Sequence, residues 1–108
     1  MNQRFKYSLI FLSALFFVPP LFAYQLYGEG TSSCGEWISE RSSGNWHSKG
    51  QWMLGVISAV GYYGVYDLKR TDSRAFAVWI DNYCQKNPLD DFSKGVYSLI
   101  EELAKKKR

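Results

Sequence analysis

The segment NPLDDFSKGVYSLIEELAKKKR, Asn87 to Arg108, decides the fold class. Leu89, Phe92, Val96, Leu99 and Leu103 step by three, four, three and four residues, the spacing of one apolar stripe on an α-helix. Asn87 suits an N-cap, Pro88 a first helical position, and Asp90 and Asp91 the positive end of the helix dipole. The spacing predicts a helix from Asn87 onward that closes on the cations Lys105 to Arg108.

Working back along the chain, a third helix is predicted ahead of this one. It is capped by Thr71 or Asp72, turns Ala75, Val78, Trp79 and Tyr83 inward, and carries Cys84 near its end. The second is predicted from about Ser48 to Tyr66, with Trp52, Met53, Val56, Ile57 and Val60 as its stripe. Gly61-Tyr62-Tyr63-Gly64 is a place where it can stop early. Arg41 to Lys49 reads as a polar connection broken by Gly44. A short first helix has Ser32 or Ser33 as N-cap and runs through Cys34, Trp37 and Ile38. Glu36 stands where a capping box needs it. The expectation is an all-α bundle of about four helices over residues 34–108. Tyr24 to Ser33, rich in glycine and serine, is expected to be a flexible arm.

The first residues point to export. Arg4 and Lys6 precede an apolar run of ten, Leu9 to Val18, which Pro19 and Pro20 end before Leu21-Phe22-Ala23. Basic head, short apolar stretch, helix break and small residue make a secretory signal peptide over residues 1–23, cut after Ala23. The run is half of the roughly 20 residues a spanning helix needs, so no stable membrane anchor is expected after cleavage. The expected location is the periplasm. Both cysteines fall in the exported part and reach an oxidising compartment, where an even pair reads as a Cys34–Cys84 disulfide rather than two buried free thiols. A domain of 85 residues sits near the lower limit for an unaided core, so a covalent staple is useful.

The net charge of +3 becomes about +1 once Arg4 and Lys6 are removed, and −3 without the run Lys105 to Arg108. A mildly acidic body with a basic tail is not a nucleic-acid footprint, which needs cations along one face. The tail suits anionic lipid, an acidic partner, or a solvated helix end.

An enzyme is not expected. His47 is the one histidine, no serine lies in a nucleophile elbow, and the carboxylate pairs Asp90-Asp91 and Glu101-Glu102 diverge by about 100° on a helix. A surface histidine is the simpler reading of His47. No metal motif, phosphate loop or cofactor fingerprint is present, so no cofactor or metal is expected. Thirteen aromatics in the exported part are too many for the core to hide. Trp37, Trp52 and Trp79 read as core, whereas Trp46, Tyr62, Tyr63 and Tyr66, beside connections, are the candidate partner-binding residues.

Three stretches carry a resemblance: C-G-E-W-I-S-x-R at Cys34 to Arg41, Q-W-M-L-G-V-I-S-A at Gln51 to Ala59, and W-I-D-N-Y-C-Q-K-N-P-L at Trp79 to Leu89. Together with size, signal peptide and cysteine pair, they resemble the small periplasmic proteins of the HdeA-like group. That group includes acid-stress chaperones and Tai-type immunity proteins. The resemblance implies a bridge between Cys34 and Cys84 and a compact helical bundle, often a homodimer. It further implies a non-enzymatic role in binding another protein, as a stress-protective chaperone of client proteins or as an immunity protein that sequesters a toxin or enzyme. The chaperones are poor in aromatics, and the four tryptophans here depart from them.

Overall fold

Cys34 and Cys84 are joined by a disulfide, and the four helices are arranged around it. The computed structural model describes residues 24–105. The signal peptide expected over residues 1–23 and the basic residues Lys106 to Arg108 lie outside the described residues. The helices are α1 (Cys34–Ser43), α2 (His47–Tyr62), α3 (Ser73–Lys86) and α4 (Phe92–Lys105), preceded by a 3-10 turn at Gly28–Thr31. The described residues form no strand; one isolated bridge pairs Ser33 with Asp91. The fold is all-α, as expected.

Local chemistry sets most of the boundaries. Ser33 Oγ accepts from the Glu36 N–H at 3.0 Å, and Asp72 Oδ1 accepts from the Ala75 N–H at 2.9 Å; these cap α1 and α3. α2 ends before Tyr66. Gly64 takes a left-handed φ of +69°, and the Val65 and Gly64 N–H groups fold back on the Val60 and Gly61 carbonyls. Those two bonds are a Schellman closure, which favours glycine because a Cβ is strained at that φ.

Two expectations about the second half are corrected. The stretch from Asn87 to Asp91 is not a helix start, and α4 begins at Phe92. A helix from Asn87 would point the Pro88 and Asp90 carbonyls along its own axis. Instead they accept from the first N–H groups of α1, Gly35 to Pro88 at 3.0 Å and Cys34 to Asp90 at 2.7 Å. The Phe92 N–H returns to Ser32 O at 2.7 Å. The turn thus satisfies donors that α1 cannot satisfy within itself. Leu89, expected on the stripe, is 95 % exposed as a result, and Asp90 and Asp91 lie before the helix.

The inward face of α3 also differs. Phe76, Ala77, Ile80 and Cys84 are buried, whereas Ala75 and Val78 face solvent and Trp79 and Tyr83 are half-buried. The bridge turns Cys84 inward, and residues four and eight positions earlier, Ile80 and Phe76, share its face. The core is completed by Trp37, Met53, Phe92, Val96, Leu99, Ile100 and Leu103. Trp37 stacks on Phe92 with ring centroids 5.0 Å apart, and Trp52 leans on Phe92 at 5.9 Å.

The stretch 24–33, expected as a loose arm, makes specific contacts. Gly30 is buried under the Trp52 ring, and Trp52 Nε1 donates to the Tyr27 carbonyl at 2.6 Å. Tyr24 lies against Tyr97.

Candidate protein-docking site

Two ion-paired clusters brace the scaffold. Asp81 on α3 accepts from Trp37 Nε1 at 2.8 Å and from both arms of the Arg41 fork, Nε at 2.9 Å and Nη2 at 2.8 Å. The Arg41 guanidinium lies over the Trp46 ring, 4.8 Å from its centroid. Its pKa is raised, first by the hydrogen bond to Asp81, against some burial. Lys49 is wholly buried on α2 and meets Glu40 at 2.7 Å, Glu36 at 3.3 Å and Glu29 at 3.7 Å. Burial alone pushes its ammonium pKa down. The hydrogen bonds of Glu40 and Glu36 and the field of Glu29 outweigh that and hold it above 10.5. The expected capping-box return of Glu36 is replaced by this pair.

With α1, α2 and α3 held in this way, the end of α2 and the connection to α3 form a cleft of about 640 Å³. Ile57, Leu68 and Phe76 supply apolar lining, and Tyr62, Tyr66, Asp67, Lys69 and Arg70 line it with them. One backbone bond, Lys69 N–H to Leu103 O at 3.1 Å, ties the connection to the last turn of α4. A smaller groove of about 210 Å³ continues between α3 and α4, with Phe76, Trp79, Leu99 and Leu103 among its lining.

The sequence candidates divide. Tyr62, Tyr63 and Tyr66 are 84 %, 77 % and 46 % exposed, and Val65 between them is 64 % exposed. Tyr62 and Tyr63 meet edge to face with centroids 5.1 Å apart. These residues form one continuous patch. Trp46 does not join them. It packs edge-on against Trp37 at 5.8 Å, beneath Arg41, and is half-buried against the core. A tryptophan at the mouth of a helix found an edge-to-face partner on α1, so its place beside a connection did not leave it free. Of the tryptophans expected in the core, Trp37 is fully buried, and Trp52 and Trp79 are half-buried against it.

His47 occupies the first turn of α2 and faces solvent. Among the described residues no group of three or more His, Cys, Asp or Glu is placed to hold a metal ion, and no helix is long and apolar enough to cross a membrane. Sequence reasoning missed Ile57, Leu68, Lys69, Arg70 and Phe76 as parts of the cleft, and Lys49 as a buried cation. Lys69 and Arg70 were visible only as a charged turn. What joins them to the tyrosines is the contact with α4, which leaves no mark in spacing. No family model, curated protein or solved structure matches the chain.

Proposed function

We propose that this chain is a non-enzymatic, exported binding protein that docks another protein on its tyrosine-rich end. The observation that carries the reading is the patch Tyr62, Tyr63, Val65 and Tyr66 beside a cleft of mixed lining that includes Ile57, Leu68 and Phe76. A small domain that leaves four large side chains within five residues in water, next to a concavity, presents the amphipathic anchors typical of interface hot spots. The disulfide is compatible with an oxidising compartment such as the periplasm. Kinship with the HdeA-like group belongs to the same proposal, supported by the bridge and the helix order.

The braced pairs around Lys49 and Arg41 support a preformed surface, as a sequestering inhibitor or immunity protein needs. A stress-protective role is favoured by a different observation, the buried Lys49. Loss of its pairs with Glu29, Glu36 and Glu40 leaves this cation uncompensated inside the fold, which loosens α1 and α2 and uncovers apolar surface for client proteins. The test is a photo-crosslinking amino acid at Tyr62, at Tyr66 and, as control, at exposed Ser39 of α1. The proposal expects a discrete protein adduct at the two tyrosines and none at Ser39. Adducts absent at all three, or equal at all three, overturn it. Adducts at neutral pH favour the preformed surface, and adducts appearing only in acid favour the protective role.

A further inference from the structure

We infer that the end of α3 carrying Trp79 and Tyr83 binds the ring of a neutral sugar, at a site separate from the tyrosine-rich end of α2.

Trp79 and Tyr83 stand one turn apart on α3, with ring centroids 5.9 Å apart and planes 15° from parallel. Both are half-buried, so each ring is seated in the fold and still meets water. The Tyr83 hydroxyl donates to Asp90 Oδ2 at 2.6 Å, and its ring lies over Gly95 of α4, where a Cβ would stand 3.1 Å from it. The Tyr83 ring is therefore held in place before any ligand arrives, which spares the ligand the entropy of ordering it. Beside the two rings is a recess of about 220 Å³ lined by Trp79, Asn82, Tyr83, Lys86 and Asn87. No carboxylate lines it, and Lys86 is its one charged residue. Asn87 Nδ2 donates to the Tyr83 carbonyl at 3.0 Å, which leaves its amide oxygen to accept. Asn82 and Lys86 are exposed, and neither side chain has a hydrogen bond or ion pair among the described residues.

Each part of this lining narrows the ligand. The recess lies at the last turn of α3, the negative end of the helix dipole, which disfavours an anion, and Lys86 disfavours a cation. The face of an indole or phenol is the negative side of its quadrupole. It attracts C–H groups that neighbouring oxygens have made positive, as on the face of a pyranose. An amide both donates and accepts, and so does a hydroxyl, so Asn82 and Asn87 match the hydroxyls at the edge of a sugar in either direction. A leucine or phenylalanine from a protein would use the rings but leave those amides against apolar surface, losing their hydrogen bonds. The recess is smaller than the pockets of roughly 300–1,000 Å³ that enclose drug-sized ligands, and suits one ring of a chain whose other rings stay in solvent.

The probes are cellotetraose and the tetramer of N-acetylglucosamine, titrated into isotope-labelled protein while NMR follows the Trp79 indole N–H and the Asn82 and Asn87 side-chain amides. Saturable shifts at these three groups are expected with at least one tetramer, with a Kd on the order of 1 mM for a contact of one ring. Asn82→Ala is expected to weaken binding about fivefold and to leave the melting temperature unchanged, since the side chain is exposed. Trp79→Ala is expected to weaken it at least about tenfold, the size of a stacked-ring contact. Should Trp79→Ala melt early, Asn82→Ala carries the test alone. If neither tetramer moves these signals well above that concentration, the inference is overturned. Shifts that Asn82→Ala does not reduce, or that N-acetyl-phenylalaninamide reproduces at equal concentration, make the recess a pocket for an apolar side chain and overturn it likewise. Purified peptidoglycan sacculi separate two sources of the same ligand. Capture that the tetramer competes away assigns the site to cell-wall glycan; no capture, or capture that the tetramer leaves untouched, assigns it to a soluble oligosaccharide.

Discussion

Lys49 Nζ and Glu40 Oε2 stand 2.7 Å apart, and the lysine side chain is entirely shielded from solvent. A lysine is almost never buried this way unless paired, because the charge must be compensated where water cannot reach. Glu36 and Glu40 come from α1, Glu29 from the 3-10 turn and Lys49 from α2, so one cation ties three segments together. It is expected that Lys49→Ala lowers stability by about 2–4 kcal/mol, through lost packing and three carboxylates left facing one another. Lys49→Met keeps the stem and is expected to cost clearly less. Urea melts of both variants decide the matter; equal losses would show that packing along the stem contributes little.

The disulfide gives a paired prediction. Cys34→Ala and Cys84→Ala remove the same constraint across a separation of 50 residues, so each is expected to lower stability by about 2–5 kcal/mol, and by similar amounts. Alkylation of the unreduced protein is expected to add no label. A loss near zero for one variant would contradict the pairing.

Two glycines are expected to respond in opposite directions. A methyl group at Gly30 runs into the Trp52 ring, so Gly30→Ala forces apart the turn and α2 and costs about 1–3 kcal/mol. Gly55 is exposed in the middle of α2, and a Cβ there meets nothing within 4 Å. Gly55→Ala is expected to stabilise by about 0.5–1 kcal/mol through helix propensity alone. Thermal melts of the two single variants give the signs directly.

Stability is expected to fall on the alkaline side. Tyr97 is pushed up to about 12, by burial first and then by its hydrogen bond with Tyr24. Tyr83 is raised by donating to Asp90 Oδ2 at 2.6 Å, with burial adding to it. Both phenols keep their protons in the fold after the unfolded chain has lost them near 10.0. The unfolded state therefore binds fewer protons between about 10 and 12, and stability drops with rising pH across that window. Lys49, raised above 10.5, acts in the same direction, since its pairing is complete below that value and is lost as pH climbs through the higher folded one. Tyrosinate absorbance is expected to show a late-titrating component that Tyr83→Phe and Tyr97→Phe each reduce. Full ionisation of all tyrosines in one early step would contradict this.

What is local and covalent in this protein can be read along the chain. Helix count, the cap regions Ser32-Ser33 and Thr71-Asp72, the apolar face Phe92, Val96, Leu99 and Leu103, and the cysteine pair each follow from neighbours within a few residues or from the lack of any other thiol, and the structure selects Ser33 and Asp72 as the caps. Tyr62, Tyr63 and Tyr66 were also legible as surface anchors, because glycines end the helix beneath them. Tertiary structure decided everything that depends on which polar group finds which distant partner. The Pro88 and Asp90 carbonyls left a helix of their own to serve the start of α1, and Trp46 left the surface for Trp37 and Arg41. Lys49 entered the interior because three glutamates from two other segments converge on it. Such choices turn on small differences between satisfied and unsatisfied polar groups across the whole chain, and spacing along one segment carries no trace of them.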